Sequence, residues 1–178
     1  LNDSMVSHLH NKVKRILNIV TLNLDDIVLD IGSNDSTLLQ AYPNQHKSLV
    51  GFDPTGEKFF KYYPSHITLI QDFFSAIAFK KKMGYKKAKI ITSIAMFYDL
   101  EKPIEFVRDV HEILADDGIW VFEQSYMPSM LEVNAFDTIC HEHLEYYRLK
   151  QIQWMMKKVG FKIIDIELNK ANGGSFSV

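Results

Sequence analysis

The chain has 178 residues, 47% of them hydrophobic, with 20 Lys plus Arg against 22 Asp plus Glu and a formal net charge of -2. That length fits one globular domain with one sizeable core, here taken as residues 1–178, and the near-neutral balance gives no electrostatic case for a nucleic-acid partner. One cysteine, Cys140, excludes an intrachain disulfide framework and points to a reducing, cytoplasmic compartment; no apolar run approaches the ~20 residues of a membrane span, and no signal-peptide pattern opens the chain.

Met5, Val6, Leu9, Val13, Ile16, Leu17 and Val20 recur at helical spacing and predict an opening amphipathic helix. A continuous apolar strand follows at Ile27-Val28-Leu29-Asp30-Ile31, closed by Gly32. Further strands are predicted at residues 48–52, 67–70, 89–94, 119–123 and 161–168, with the start of a seventh at 175–178. Helices are predicted from near Thr37, over Pro103 to Leu114 with Asp117-Gly118 as the stop, and over Leu149 to Val159 with Gly160 as its C-cap. The lysines at 80–82 and 86–87 read as a solvated loop or helix end, Met155 and Met156 as core filling, and Trp120 and Trp154 as core. Alternating helices and apolar strands predict a mostly parallel sheet covered on both faces.

In such sheets ligands bind beyond the carboxyl ends of the strands, so the strand ends carry the functional reading. The first ends in Asp30-Ile31-Gly32-Ser33-Asn34-Asp35-Ser36. The second ends in Asp53-Pro54, its acid 21 residues after Gly32. The third ends in Asp72-Phe73-Phe74, the fourth in Ile94-Ala95-Met96-Phe97-Tyr98, and the fifth in Glu123-Gln124-Ser125-Tyr126. Gly32 permits a tight turn, and a following helix offers unpaired N–H groups to an anion. Asp53 is placed to take ribose hydroxyls, and Asp72 with the Phe73 N–H suits an adenine edge. A dinucleotide loop wants glycine where Asn34 and Thr37 stand, and a pyrophosphate would be repelled by Asp30 and Asp35. S-adenosylmethionine, with its ammonium and sulfonium, suits an acidic loop.

The run from Asp30 to Leu39 resembles the first motif of class I S-adenosylmethionine-dependent methyltransferases. More closely, the chain resembles the sugar C-methyltransferases that act on nucleotide-linked keto-deoxysugars. The resemblance continues through Gly51-Phe52-Asp53-Pro54, Asp72-Phe73-Phe74, Phe122-Glu123-Gln124-Ser125-Tyr126, Cys140-His141-Glu142-His143-Leu144-Glu145-Tyr146-Tyr147 and Asn172-Gly173-Gly174-Ser175. Ser36 stands where that family usually has Gly, and Cys140 where it often has an aromatic residue. The resemblance implies a Rossmann-like three-layer α/β/α sandwich with strand order 3-2-1-4-5-7-6 and an antiparallel seventh strand, reached through the turn at Asn172-Gly173-Gly174. It also implies a zinc-binding module before this region and a further domain after it, so the chain reads as the methyltransferase domain of a longer protein or as a reduced homologue.

On that resemblance, Asp30, Gly32, Ser33 and Asn34 face the methionine part of S-adenosylmethionine, Asp53 and Pro54 the ribose, Asp72 and Phe73 the adenine, and Ile94 and Met96 the region of the sulfonium. His143 is the general base, a role an imidazole suits because its unperturbed pKa lies near neutral pH. Glu142 orients His143 or binds a sugar hydroxyl, and Tyr98, Glu123 and Tyr147 are candidate substrate contacts. The substrate is then a small molecule, a nucleotide sugar. From the residues alone, His141 and His143 also read as ordinary hydrogen-bonded loop histidines. No metal is expected, because adjacent ligands in one short segment need a second pair elsewhere, and His8, His10, His46, His66 and His111 show no such pairing. Two other functions stay open: methylation of oxygen or nitrogen on a small metabolite, which needs no enolising base, and a catalytically silent S-adenosylmethionine-binding domain.

Overall fold

Strand β1 (Ile27–Ile31) is buried along its whole length, as its unbroken apolar run requires. It pairs in parallel with β2 (Leu49–Phe52), and β2 with β3 (Ile67–Ile70), setting Leu29 opposite Val50 and Val50 opposite Thr68. The computed structural model describes residues 1–43 and 48–178; His46 lies outside the described residues. The other strands are β4 (Ala88–Ile94), β5 (Leu114–Ser125), β6 (Glu167–Asn169) and β7 (Ser175–Ser177). The seven strands form one sheet in the order β3-β2-β1-β4-β5-β7-β6. β7 runs antiparallel to both β5 and β6. This Rossmann-like α/β order and its reversed strand are those the resemblance implies.

The helices are α1 (Asp3–Ile19), α2 (Thr37–Gln40), α3 (Gly56–Phe59), α4 (Ala76–Met83), α5 (Pro103–Ile113), α6 (Met127–Val133) and α7 (Leu149–Val159). The chain divides into two compact units, Leu1–Thr92 with Ile113–Trp120, and Ser93–Glu112 with Val121–Val178. In the first, α1 is capped by the Asn2 side chain, which accepts from the Met5 N–H, and buries Leu9, Val13 and Ile16. Its core is filled by Val28, Leu29, Leu39, Phe79, Ile90 and Ile91. The lysines at 80–82 close α4, where cations complement the helix dipole.

In the second unit the core is aromatic. Phe97 stacks on Phe122 at 5.3 Å between centroids and meets Phe106 edge-on at 5.8 Å. α7 buries Ile152, Met155 and Met156 and ends at Gly160 in the left-handed conformation. β7 is reached through a turn ending at Gly174, whose φ of +120° suits glycine, and a Cβ there would stand 2.5 Å from the Ser129 side chain.

Three expectations are corrected. The sixth strand is Glu167–Asn169 rather than residues 161–168, and it pairs with β7, Glu167 with Ser177, Leu168 with Phe176 and Asn169 with Ser175. The helix predicted over Pro103 to Leu114 ends at Ile113, and Asp117-Gly118 is not its stop but lies within β5, which opens at Leu114 rather than at Ile119. Trp154 is not core but 58% exposed. Two residues beyond Ile152, it falls on the side of α7 opposite the Ile152-Met155-Met156 stripe, and the Lys158 ammonium covers its ring at 4.7 Å.

Candidate functional site

The residues singled out in the sequence form two groups, one in each unit. In the first unit the loop after β1 is built on β2: the Gly32 and Ser33 N–H groups both donate to the Phe52 carbonyl, at 2.8 and 3.1 Å. Asn34 and Ser36 both have positive φ, 46° and 62°. Ser36 is accommodated where the resembled family usually has glycine: its side chain is buried, donates to the Tyr62 carbonyl at 3.2 Å and accepts from the Gln40 amide at 2.9 Å. The Ser33 and Tyr63 hydroxyls pair at 2.8 Å, a contact that depends on Gly51, where a Cβ would meet the Ser33 hydroxyl at 2.5 Å.

Three carboxylates stand at the ends of the three strands, Asp30 within β1 and Asp53 and Asp72 beyond β2 and β3. Asp30 is buried and accepts from the Thr92 hydroxyl at 2.6 Å. Burial raises its carboxyl to about pKa 7; the Thr92 bond opposes the rise, and the Asp53 charge adds to it. The same Asp30 charge acts on Tyr42, whose buried hydroxyl has no hydrogen-bond partner among the described residues, and on Tyr63, whose phenol burial pushes up to about 12. Asp53, buried beside Pro54, accepts from the Asn34 N–H at 2.8 Å through one oxygen, and from the Thr55 N–H and hydroxyl at 2.8 and 2.7 Å through the other. Asp72 is exposed and accepts from the Phe73 N–H at 2.8 Å. α2 offers its first N–H to Asp35, not to an open site. This acceptor-rich, anionic group fits a ligand that carries positive charge and hydroxyls, and it opposes a pyrophosphate.

In the second unit Ala95, after β4, holds a left-handed φ of 54°, and its N–H donates to the Glu123 carbonyl at 2.7 Å. That corner separates Ile94 and Met96, both half-buried. The 3-10 turn Phe97–Asp99 then presents Tyr98, whose ring lies 4.2 Å from the His143 ring, while the Tyr98 carbonyl accepts from the Glu145 N–H at 3.0 Å. His143 Nδ1 lies 2.8 Å from the Thr138 carbonyl. A carbonyl only accepts, so Nδ1 carries the proton and Nε2 of the neutral ring is left with its lone pair. Glu142 does not take this place; its carboxylate lies 3.3 Å from His141, and both side chains are exposed. Asp99 sits in the same electrostatic neighbourhood: burial raises its carboxyl, His143 pulls it down and Glu142 pushes it up. The buried Glu123 carboxylate accepts from the Asn169 amide at 2.8 Å. Tyr147 packs on Phe97 at 5.5 Å, and its hydroxyl is buried without a partner among the described residues.

Four of these partners were not singled out in the sequence. Thr92 had a signal, a hydroxyl directly after the apolar pair Ile90-Ile91 of its strand. Asp99 directly follows Tyr98, one residue beyond the predicted strand end. Thr138 acts through its carbonyl and Asn169 across a strand added late in the chain, so neither left a mark in spacing. Among the described residues no group of three or more His, Cys, Asp or Glu could hold a metal ion, and no helix is long and apolar enough to cross a membrane.

Residues 5–166 match the methyltransferase domain family, and the chain belongs to it. The C-methyltransferase NovU of Streptomyces niveus is 25% identical over 176 residues, which are 98% of this chain and 42% of that protein; the chain thus spans less than half of this relative's length. Among solved structures, an S-adenosylmethionine-dependent methyltransferase from Archaeoglobus fulgidus superposes with a TM-score of 0.69 at 16% identity, over 93% of this chain and 73% of the other. The plantazolicin methyltransferase BpumL, solved with a desmethylplantazolicin analogue and S-adenosylhomocysteine, superposes with a TM-score of 0.67 at 12% identity, over 97% of this chain and 83% of the other. These two likenesses establish the fold.

Proposed function

We propose that this chain binds S-adenosylmethionine and transfers its methyl group to a carbon next to a ketone, on a nucleotide-linked deoxysugar. Membership of the methyltransferase domain family and similarity to a C-methyltransferase support the transfer and its class. The acidic group of the first unit supports the donor. Asp30, with Gly32, Ser33 and Asn34, is assigned to the methionine portion, Asp53 and Pro54 to the ribose, and Asp72 and Phe73 to the adenine. When bound, S-adenosylmethionine supplies an electrophilic methyl group on a positively charged sulfur.

The observation that carries carbon methylation is the bond from His143 Nδ1–H to the Thr138 carbonyl. A carbon becomes nucleophilic only after losing a proton, and a neighbouring ketone makes that loss feasible by spreading charge onto oxygen. With Nδ1 committed, Nε2 is the atom that accepts the proton. Glu142, exposed one residue before it, is assigned to a sugar hydroxyl, while Glu123, bonded to Asn169, and Tyr147, packed on Phe97, support the second unit. Oxygen or nitrogen methylation needs no such base.

The test is exchange of the sugar's α-proton with deuterated water, followed by NMR, on a nucleoside-diphosphate keto-deoxyhexose with the full-length protein and S-adenosylhomocysteine. Wild type is expected to exchange the proton, and His143→Ala to lose at least ~10²-fold while keeping donor affinity. Equal exchange in the mutant moves the base elsewhere. Methyl transfer to an oxygen without any exchange makes the protein an O-methyltransferase, and donor binding with neither makes it a silent binding domain.

A further inference from the structure

Deprotonating a carbon next to a ketone leaves negative charge on the ketone oxygen, and a lone base does nothing for that charge. The second unit holds a phenol against the proposed base. The Tyr98 and His143 rings lie 4.2 Å apart and tilted by 47°. Both are tied to the backbone, His143 through Nδ1 on the Thr138 carbonyl and Tyr98 through its own carbonyl on the Glu145 N–H. Phe97, the preceding residue, anchors the 3-10 turn in the aromatic core against Phe106, Phe122 and Tyr147. Tyr98 keeps 9% of its surface exposed, whereas the Tyr147 hydroxyl is sealed in the core without a partner among the described residues.

We propose that Tyr98 is a catalytic residue whose hydroxyl donates a hydrogen bond to the ketone oxygen of the acceptor and to the enolate formed from it. This inference rests on the keto-sugar reading above and adds to it the group that stabilises the developing charge. In the step, the C–H bond breaks, its proton goes to His143 Nε2, and its electron pair becomes the carbon–carbon double bond of the enolate as the carbonyl pair moves to oxygen. Tyr98 keeps its proton throughout. When the new carbon–carbon bond forms, the pair returns from oxygen, the ketone is restored, and the bond from methyl to sulfur breaks with its pair left on sulfur. Tyr98 suits a donor that is not consumed: burial pushes its phenol up to about 12, with Asp99 and Cys140 adding to the rise, so it stays protonated at any working pH. A donor aimed at a developing oxyanion in a partly dry site is commonly worth about 10²–10³-fold in rate.

The experiment is the same α-proton exchange, run with S-adenosylhomocysteine so that no methyl is transferred, on wild type, His143→Ala, Tyr98→Phe, and protein carrying 3-fluorotyrosine at position 98. Tyr98→Phe keeps the ring and its packing, and its thermal midpoint and S-adenosylhomocysteine affinity are measured alongside. The expected result is a loss of exchange of about 10²-fold in Tyr98→Phe, with affinity unchanged and exchange retained by the fluorinated phenol. Exchange within twofold of wild type in Tyr98→Phe overturns the role of Tyr98 while the loss in His143→Ala leaves the base standing. Equal loss in the phenylalanine and fluorotyrosine proteins also overturns it, since the hydroxyl would then not be what matters. No exchange in wild type overturns the keto-sugar reading, and this inference with it.

Discussion

The Thr92 hydroxyl donates to the Asp30 carboxylate at 2.6 Å inside the first unit, and this bond is the main force opposing the burial that holds Asp30 near pKa 7. The carboxyl ordinarily titrates near 3.8. Between those two values the folded chain keeps a proton that the unfolded chain releases, so Asp30 stabilises the fold fully below about pH 4 and loses that contribution as pH rises through about 7. Each tenfold change in proton affinity is worth about 1.4 kcal/mol, which bounds the contribution at about 4 kcal/mol. Asp30→Asn, which still accepts from Thr92, is expected to be more stable than wild type at pH 8 by up to that amount and little different at pH 4. Urea denaturation at both pH values checks this; an equal gap at the two would mean that Asp30 does not titrate between them.

The same group gives the proposed donor a pH dependence of the opposite sense. A cationic ligand beside Asp30 favours the carboxylate, so binding below about pH 7 must expel a proton. Affinity for S-adenosylmethionine is expected to weaken by up to about tenfold per pH unit from 7 down to 5. Thr92→Val removes the bond that lowers the Asp30 pKa and moves this fall to higher pH. Asp30→Asn should bind weakly at every pH, with a flat profile. Calorimetric titration at pH 5, 6, 7 and 8 follows all three proteins, and a flat wild-type profile would remove Asp30 from the ammonium.

Asp53 serves the loop before it serves any ligand. It joins the Asn34 N–H to Thr55, so Asp53→Ala strands three donors as well as removing an acceptor. The loss of a charged hydrogen bond, about 1.5–3 kcal/mol, predicts donor affinity reduced at least tenfold and a lower thermal midpoint. Its removal also takes a neighbouring negative charge from Asp30, so whatever binding remains should persist to lower pH than in wild type. Unchanged affinity in calorimetry would take Asp53 out of the site.

Much of the fold was legible because it rests on local patterns. The strand at Ile27–Ile31 reads directly from five buried positions, and the helix at Leu149–Val159 from its apolar stripe and Gly160. What the sequence hides is which side of an element is covered. Trp154 lies on α7 away from its buried Ile152, Met155 and Met156, so hydrophobicity alone misreads it. The candidate site divides in the same way. The acids at the ends of β1, β2 and β3 stand out by residue type, whereas the partners that tune them act through a hydroxyl on another strand, as Thr92 does, or through a backbone carbonyl, as Thr138 does.

The Thr138 carbonyl is held in its own place. The Thr138 hydroxyl donates to the Ala135 carbonyl at 2.6 Å, closing the 3-10 turn Phe136–Thr138 that aims the carbonyl at His143. Thr138→Val keeps the shape of the side chain but removes that bond, freeing the turn and with it the constraint on the His143 ring. The neutral ring then divides between its two tautomers, and the fraction with a basic Nε2 falls. The expected outcome is a severalfold lower kcat with KM and donor affinity unchanged, and recovery in Thr138→Ser, which restores the hydroxyl. Nitrogen-15 NMR of His143 provides the independent readout: the wild-type ring should report a protonated Nδ1, Thr138→Val a mixture, and Thr138→Ser the wild-type pattern. A valine variant with a wild-type ring spectrum and a reduced kcat would show that the turn acts on something other than the base, and the assignment of Thr138 as its positioning residue would fall.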